Sequence, residues 1–154
     1  MKARLSEGYK PQWDVDLRYG QKGEAFVAEY LNGLVNQEGR LRVEVKSDRL
    51  MVETGNVWIE VECRRRDGWH DSGIRTTEAD MWGLVLAETV IVGVPTAVLR
   101  VIAERAWDET ESRGKHMFRS EEKDGSHPTR GVRLPLALFI MRLRTELRRQ
   151  AKAA

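Results

Sequence analysis

Asp48, Glu60 and Glu62, with Lys46 close by, are the residues whose types and spacing could do chemistry. They fall in Val43 to Cys63, VEVKSDRLMVETGNVWIEVEC. Val43 and Val45 alternate with Glu44, Lys46 and Asp48, and Val57, Ile59 and Val61 alternate with Trp58, Glu60 and Glu62. That period of two predicts two half-buried strands, each with an apolar and an ionisable face. A three-residue loop, Glu53-Thr54-Gly55 with Gly55 at positive φ, would join them as a β-hairpin. It sets Asp48 opposite Glu60 and Lys46 opposite Glu62, with opposed Cβ atoms about 4.5–5.5 Å apart. A two-residue Thr54-Gly55 turn would instead put the charged sets on opposite faces, and the longer loop is preferred because it keeps both apolar sets together.

Opposed carboxylates repel unless something positive lies between them. A hard divalent ion such as Mg²⁺ takes carboxylate oxygens, keeps several waters and is commonly completed by phosphate oxygens, so Asp48 with Glu60 would suit it. The plainer reading is a solvated outer face with cross-strand pairs from Lys46 to Glu62 and from Glu44 to Arg64.

The elements around this stretch must position it. Residues 1 to 18 read as an extended polar arm containing Asp14 and Asp16. A helix follows over about Gly23 to Val35, with Val27, Leu31 and Leu34 at helical spacing and Glu24 on the side that faces the sheet. After the hairpin, RRRDGWHDSGIRTTEAD reads as a loop, and Thr77 with Asp80 resembles a capping box opening a helix to about Leu86. Thr89 to Val94 has the continuous apolar pattern of a strand buried on both faces, and Pro95 opens a helix with Val98, Leu99, Ile102 and Ala106 inward. Asp108 to Pro128 reads as a long surface loop, Arg130 to Leu134 as a short edge strand. Pro135 to Lys152 is an amphipathic basic helix with Leu136, Phe139, Ile140, Leu143 and Leu147 inward. The order of elements predicts an α/β fold, a mixed β-sheet flanked by helices in a single domain spanning all 154 residues.

Composition narrows the function classes. Hydrophobic residues at 41% and charged residues at 32% are ordinary for a soluble chain. The longest apolar run, Thr89 to Leu99, is too short to span a bilayer and contains Pro95, and the N-terminus lacks an apolar signal core. An intracellular, cytoplasmic protein with no membrane partner is expected. The single cysteine, Cys63, excludes an internal disulfide and a cysteine-rich zinc site, and reads as a buried inert thiol. A formal charge of +2 does not by itself argue for nucleic acid. Its distribution says more: Arg64, Arg65 and Arg66 follow the second strand, Arg75 lies in the loop, and Arg142, Arg144, Arg148, Arg149 and Lys152 crowd the last helix.

Four blocks in order, GQKGE, VEVKSD, TGNVWIEVE and SGIRTTEAD with Trp82 two residues on, resemble small phage-type members of the PD-(D/E)XK nuclease superfamily. The resemblance spans about Tyr19 to Leu99. It implies a restriction-endonuclease-like fold and Mg²⁺- or Mn²⁺-dependent hydrolysis of phosphodiester bonds in DNA, with branched or junction DNA among the substrates. It also implies an intracellular, phage-encoded setting and a homodimer for paired cuts. Asp48 would match the lone metal-binding Asp, Glu60 the first acid of the Glu-x-Lys strand and Glu24 the accessory helix acid. The motif lysine is replaced by Glu62, and the lone Asp follows Ser47 instead of Pro. On this reading Asp48 and Glu60 hold the metal, Lys46 or Glu62 orients or deprotonates the attacking water, and Arg64, Arg65, Arg66 and Arg75 contact DNA. A second alignment takes Glu44-Val45-Lys46 as the Glu-x-Lys, similar to archaeal Holliday-junction resolvases, with Asp14 or Asp16 supplying the lone Asp. The competing class is a catalytically inactive DNA-binding protein on the same fold, which the missing lysine favours.

Overall fold

The computed structural model describes residues 18, 20–25, 41–47, 49–86, 90–113, 117–119 and 128–153. Residues 20–25 are helical (α1). Then come β1 (Val43–Ser47), α2 (Arg49–Thr54), β2 (Asn56–Arg65), β3 (Gly68–Asp71), a 3-10 turn (Gly73–Arg75), β4 (Met81–Leu86) and β5 (Val90–Pro95). The chain closes with α3 (Thr96–Arg113), β6 (Met117–Arg119), β7 (Thr129–Pro135) and α4 (Leu136–Ala153). The α/β class holds, but among the described residues the strands form two small sheets. One is mixed and three-stranded, in the order β1-β4-β5; the other is antiparallel and four-stranded, in the order β3-β2-β7-β6.

The hairpin is therefore not formed. β1 runs parallel to β4, with Lys46 beside Leu84, whereas β2 pairs with β3 and β7. Glu53 and Thr54, expected in the turn, belong to α2, whose Met51 is buried. Gly55 does adopt positive φ, at 66°. It does so to end a helix: its N–H donates to the Met51 carbonyl at 2.9 Å, the bond of a left-handed helix terminus. Lys46 and Glu62 consequently lie in different sheets and do not face each other. Asp48 lies outside the described residues.

Alternation along β2 is as read: Val57, Ile59 and Val61 are wholly buried, while Trp58, Glu60 and Glu62 are half-buried on the other face. Met81–Leu86, read as a helix, is the central strand of the three-stranded sheet, with Trp82, Leu84 and Val85 all buried. Covered on both faces, such a strand shows no alternation, and its short apolar run is indistinguishable from a helical one by period. β5, read as buried on both faces, is an edge strand among the described residues, with Val90 51% exposed. β7, read as an edge, lies between β2 and β6.

Ile59, Val61, Ile74, Trp82, Leu84 and Val94 share one core with Leu99, Ile102 and Trp107 of α3 and Phe139 and Leu143 of α4, so a single apolar cluster spans both sheets. The long loop expected from Asp108 opens instead as the last turn of α3 and contains β6; 114–116 and 120–127 lie outside the described residues. So do the arm, apart from Arg18, and the first helix beyond residue 25. On α4, Ile140 and Leu147, expected inward, are exposed, and Glu146 takes an inward place at 2% exposure.

Candidate functional site

The charged face of β2 is shaped by a register shift between Glu60 and Glu62, where β7 opposes them with Gly131 and Arg130. Val57, Ile59 and Val61 stay in the core by ordinary alternation, which puts both acids on the other face, and the extra residue sets Arg130 opposite Glu62. Gly131 permits the approach, because a Cβ there would lie 2.2 Å from the Ile59 carbonyl oxygen.

The segment Ser72-Gly73-Ile74-Arg75 folds onto these acids. Its anchor is Ile74, wholly buried. The Ser72 N–H donates to the Val61 carbonyl at 2.9 Å, and its hydroxyl donates to Glu60 Oε1 at 2.5 Å. Gly73, at φ 51°, presses on the backbone of the same residue; a Cβ would sit 2.4 Å from the Glu60 carbonyl oxygen. Arg75 then reaches across the sheet. Its Nη1 donates to Glu62 Oε1 at 2.7 Å and to Asp71 at 3.0 Å, while Nε and Nη2 grip Glu104 of α3 at 2.8 and 2.9 Å. The Glu104 hydrogen bonds, with Asp71 adding to them and burial opposing, raise the Arg75 pKa above its ordinary value. Arg130 donates to the other oxygen of Glu62. Its guanidinium lies over Trp69 and Trp107, 4.6 and 5.3 Å from the ring centres.

Both oxygens of Glu62 are thus engaged by guanidinium groups. It does not fit a metal ligand or a base, because two positive charges oppose a bound cation and both oxygens are already taken as acceptors. Glu60 differs: it is half-buried, bonded to one hydroxyl and without an ion pair among the described residues. No three His, Cys, Asp or Glu side chains converge on a metal position among the described residues.

On β1, Glu44 accepts from Lys46 at 2.7 Å and from the Thr77 hydroxyl at 2.5 Å. Burial alone would raise its pKa, but these hydrogen bonds outweigh it and the pKa is lowered. Lys46, half-exposed, lies 5.3 Å above the Trp82 ring. Thr77 and Asp80 are thus not a helix cap: Thr77 serves Glu44, and the Asp80 carboxylate accepts the Arg42 N–H at 2.9 Å at the entrance to β1. That backbone bond is the main reason the exposed Asp80 carboxyl has a lowered pKa. On α1, Gly23 is the residue that meets the sheet, since a Cβ there would lie 1.7 Å from Ser47 Oγ; Glu24, expected on that side, is exposed. Arg64, Arg65 and Arg66 are exposed, and Trp69 and Cys63 are half-buried.

Sequence reasoning missed Ser72, Glu104, Trp107 and Arg130. They lie between 12 and 68 positions from the acids they serve directly or through Arg75, and nothing in local spacing links them. No family model, curated protein or solved structure matches the chain.

Proposed function

We propose that this chain is a divalent-metal-dependent DNA endonuclease on a restriction-endonuclease-like scaffold, with Glu60 as the acid at its centre. The observation that carries this reading is the mutual contact of the four sequence blocks. Gly23 packs on Ser47, Glu44 bonds Thr77, Glu60 bonds Ser72, and Lys46 covers Trp82. The second and third blocks thereby meet the segment from Ser72 to Trp82, and the first packs on the second at Ser47, a convergence that suits a catalytic constellation.

Glu60 and Asp48 would hold Mg²⁺ or Mn²⁺, which supplies polarisation of a phosphoryl oxygen and a more acidic bound water. Ser72 fixes the Glu60 carboxylate through its hydroxyl. Lys46, half-exposed and paired with Glu44, would turn its charge to a phosphate oxygen, and exposed Arg64, Arg65 and Arg66 would contact the phosphates of DNA. Glu62 is a positioning residue: it holds Arg75 and Arg130 in place, so Arg75, the fourth basic residue expected on DNA, is committed to the protein's own acids. The same pairing of Glu62 favours a second reading, a DNA-binding protein without turnover, because it leaves no described acid beside Glu60 to act as a base.

The two readings separate on labelled duplex, single-stranded and four-way-junction DNA with Mg²⁺, Mn²⁺ or EDTA. Metal-dependent cleavage that falls at least ~100-fold in Glu60→Ala and in Asp48→Ala is expected. Retained DNA in a gel shift with no cleavage under any condition assigns the chain to the binding class. Full activity of Glu60→Ala removes that residue from the site.

A further inference from the structure

The last helix carries a basic surface that the Glu60 cluster does not use. Arg144, Arg148 and Lys152 stand at successive four-residue steps on α4, so they form one row with a rise of about 6 Å between neighbours. All three are exposed, and none makes an ion pair or hydrogen bond among the described residues. Arg142 and Arg149 of the same helix differ, since they pair with Glu109 and Glu146 at 2.7 and 2.8 Å. Glu146 is the only acid of α4 and is buried, so nothing on the helix offsets the row. Like charges four residues apart repel. The helix dipole favours a cation in the last turn and accounts for Lys152, but Arg144 and Arg148 lie before that turn.

The layout of the face selects the partner. Arg148 lies about half a turn around the helix from buried Phe139, so the row follows the crest most distant from the core. Ile140 and Leu147, 43% and 41% exposed, stand on a flank, about a quarter turn from Phe139. Of the large apolar side chains only Met141 shares the crest, and it precedes the row. A helix lying in a lipid surface has its apolar residues at the crest and its cations beside them, the reverse of this order. A second copy of α4 would set arginine against arginine. The phosphates of a nucleic-acid strand supply what the row lacks, negative charges in regular succession.

The helix also points the right way. α4 lies antiparallel to α3, with Arg142 beside Glu109 and Glu146 near Arg105. Its second half therefore runs toward the start of α3, where Arg100 donates to the Ile74 and Thr77 carbonyls of the segment that folds onto Glu60. We propose that the crest of α4 is a second DNA-contacting surface, Arg144, Arg148 and Lys152 taking successive phosphates of one strand of a duplex that extends beyond the Glu60 cluster. The proposal rests on the DNA reading above and names where that DNA continues; it requires neither base contacts nor turnover.

Fluorescence anisotropy of a labelled duplex with the full chain in EDTA, between about 50 and 200 mM salt, reads binding apart from cleavage. Joint replacement Arg144→Ala, Arg148→Ala and Lys152→Ala is expected to weaken binding at least ~10-fold for any sequence, and to lower the slope of log affinity against log salt by about 0.9 for each lost contact. Alanine at exposed helix positions keeps the fold. Arg144→Lys with Arg148→Lys should keep the slope, because a phosphate is held there by charge. Unchanged affinity and slope in the triple variant overturn the row and leave the DNA reading standing. No binding by the parent chain at any salt overturns both. Weakened binding by the variant supports the row whether or not the parent chain cleaves, and leaves the nuclease reading to the cleavage assay. Cosedimentation with phosphatidylserine vesicles that the triple variant loses, with duplex binding unchanged, overturns the proposal in favour of a lipid surface.

Discussion

Glu62 on β2 and Glu146 on α4 are both acids held away from solvent, and they are served in opposite ways. Glu62, 12% exposed, gives both oxygens to Arg75 and Arg130, which are themselves only 20% and 30% exposed. Glu146 has arginines at 54% and 62% exposure, hydrogen-bonded on one oxygen only. A carboxylate saturated by half-buried guanidinium groups is part of the scaffold, since nothing can enter without displacing a charge that has nowhere to go. One whose counter-charges stand in water depends less on them, because they rehydrate when the acid is removed. Glu60, bonded to a single hydroxyl and without an ion pair among the described residues, belongs to neither kind, which is why it and not Glu62 carries the proposed chemistry.

The sharpest way to break this comparison is to remove Glu62. Glu62→Ala leaves Arg75 and Arg130 half-buried without their shared acid and is expected to cost about 2–4 kcal/mol in urea unfolding. A loss below about 1 kcal/mol would put Glu62 among ordinary surface pairs. Glu146→Gln supplies the other side. Arg105 and Arg149 rehydrate once the charge is gone, so its cost in the same experiment is expected to stay under about 1 kcal/mol despite the deeper burial. The reverse ranking would show that burial of the acid, not of its partners, sets the energy.

How much of this was legible follows from where each signal is local. Val57, Ile59 and Val61 announce their core face by alternation, and Val98, Leu99, Ile102 and Ala106 announce theirs by helical spacing. Gly55 was legible as a residue at positive φ, but a hairpin bulge and a helix terminus make the same demand, and only the burial of Met51 separates them. Thr77 and Asp80 carry capping chemistry whose recipients, Glu44 and the Arg42 amide, lie more than thirty positions upstream. The burial of Glu146 has a readable signal: Phe139, Leu143 and Glu146 continue one helical stripe, so the acid stands where an apolar residue is due. The grouping of Glu62 with Arg75, Glu104 and Arg130 had none, since tertiary packing alone unites them.

Glu44 offers an intermediate case that refines the same comparison. Its side chain is 29% exposed, and its cationic partner Lys46 is 45% exposed, closer to the arginines of Glu146 than to those of Glu62. Its pKa in the folded chain is lowered, so the ionised form is the one the fold prefers. The stabilisation is therefore present above the ordinary glutamate value of 4.5 and is lost as pH falls through the folded value. Glu44→Gln should be less stable than the parent chain by under about 1 kcal/mol near neutrality, and the difference should shrink toward zero in the acid range. Asp80 shares the acid limb but titrates in both proteins, so the difference between their urea midpoints from about pH 3 to about pH 7 isolates Glu44. A difference of zero across that range would mean that the Thr77 hydroxyl bonds glutamine as well as glutamate, and that the charge on Lys46 contributes nothing to β1.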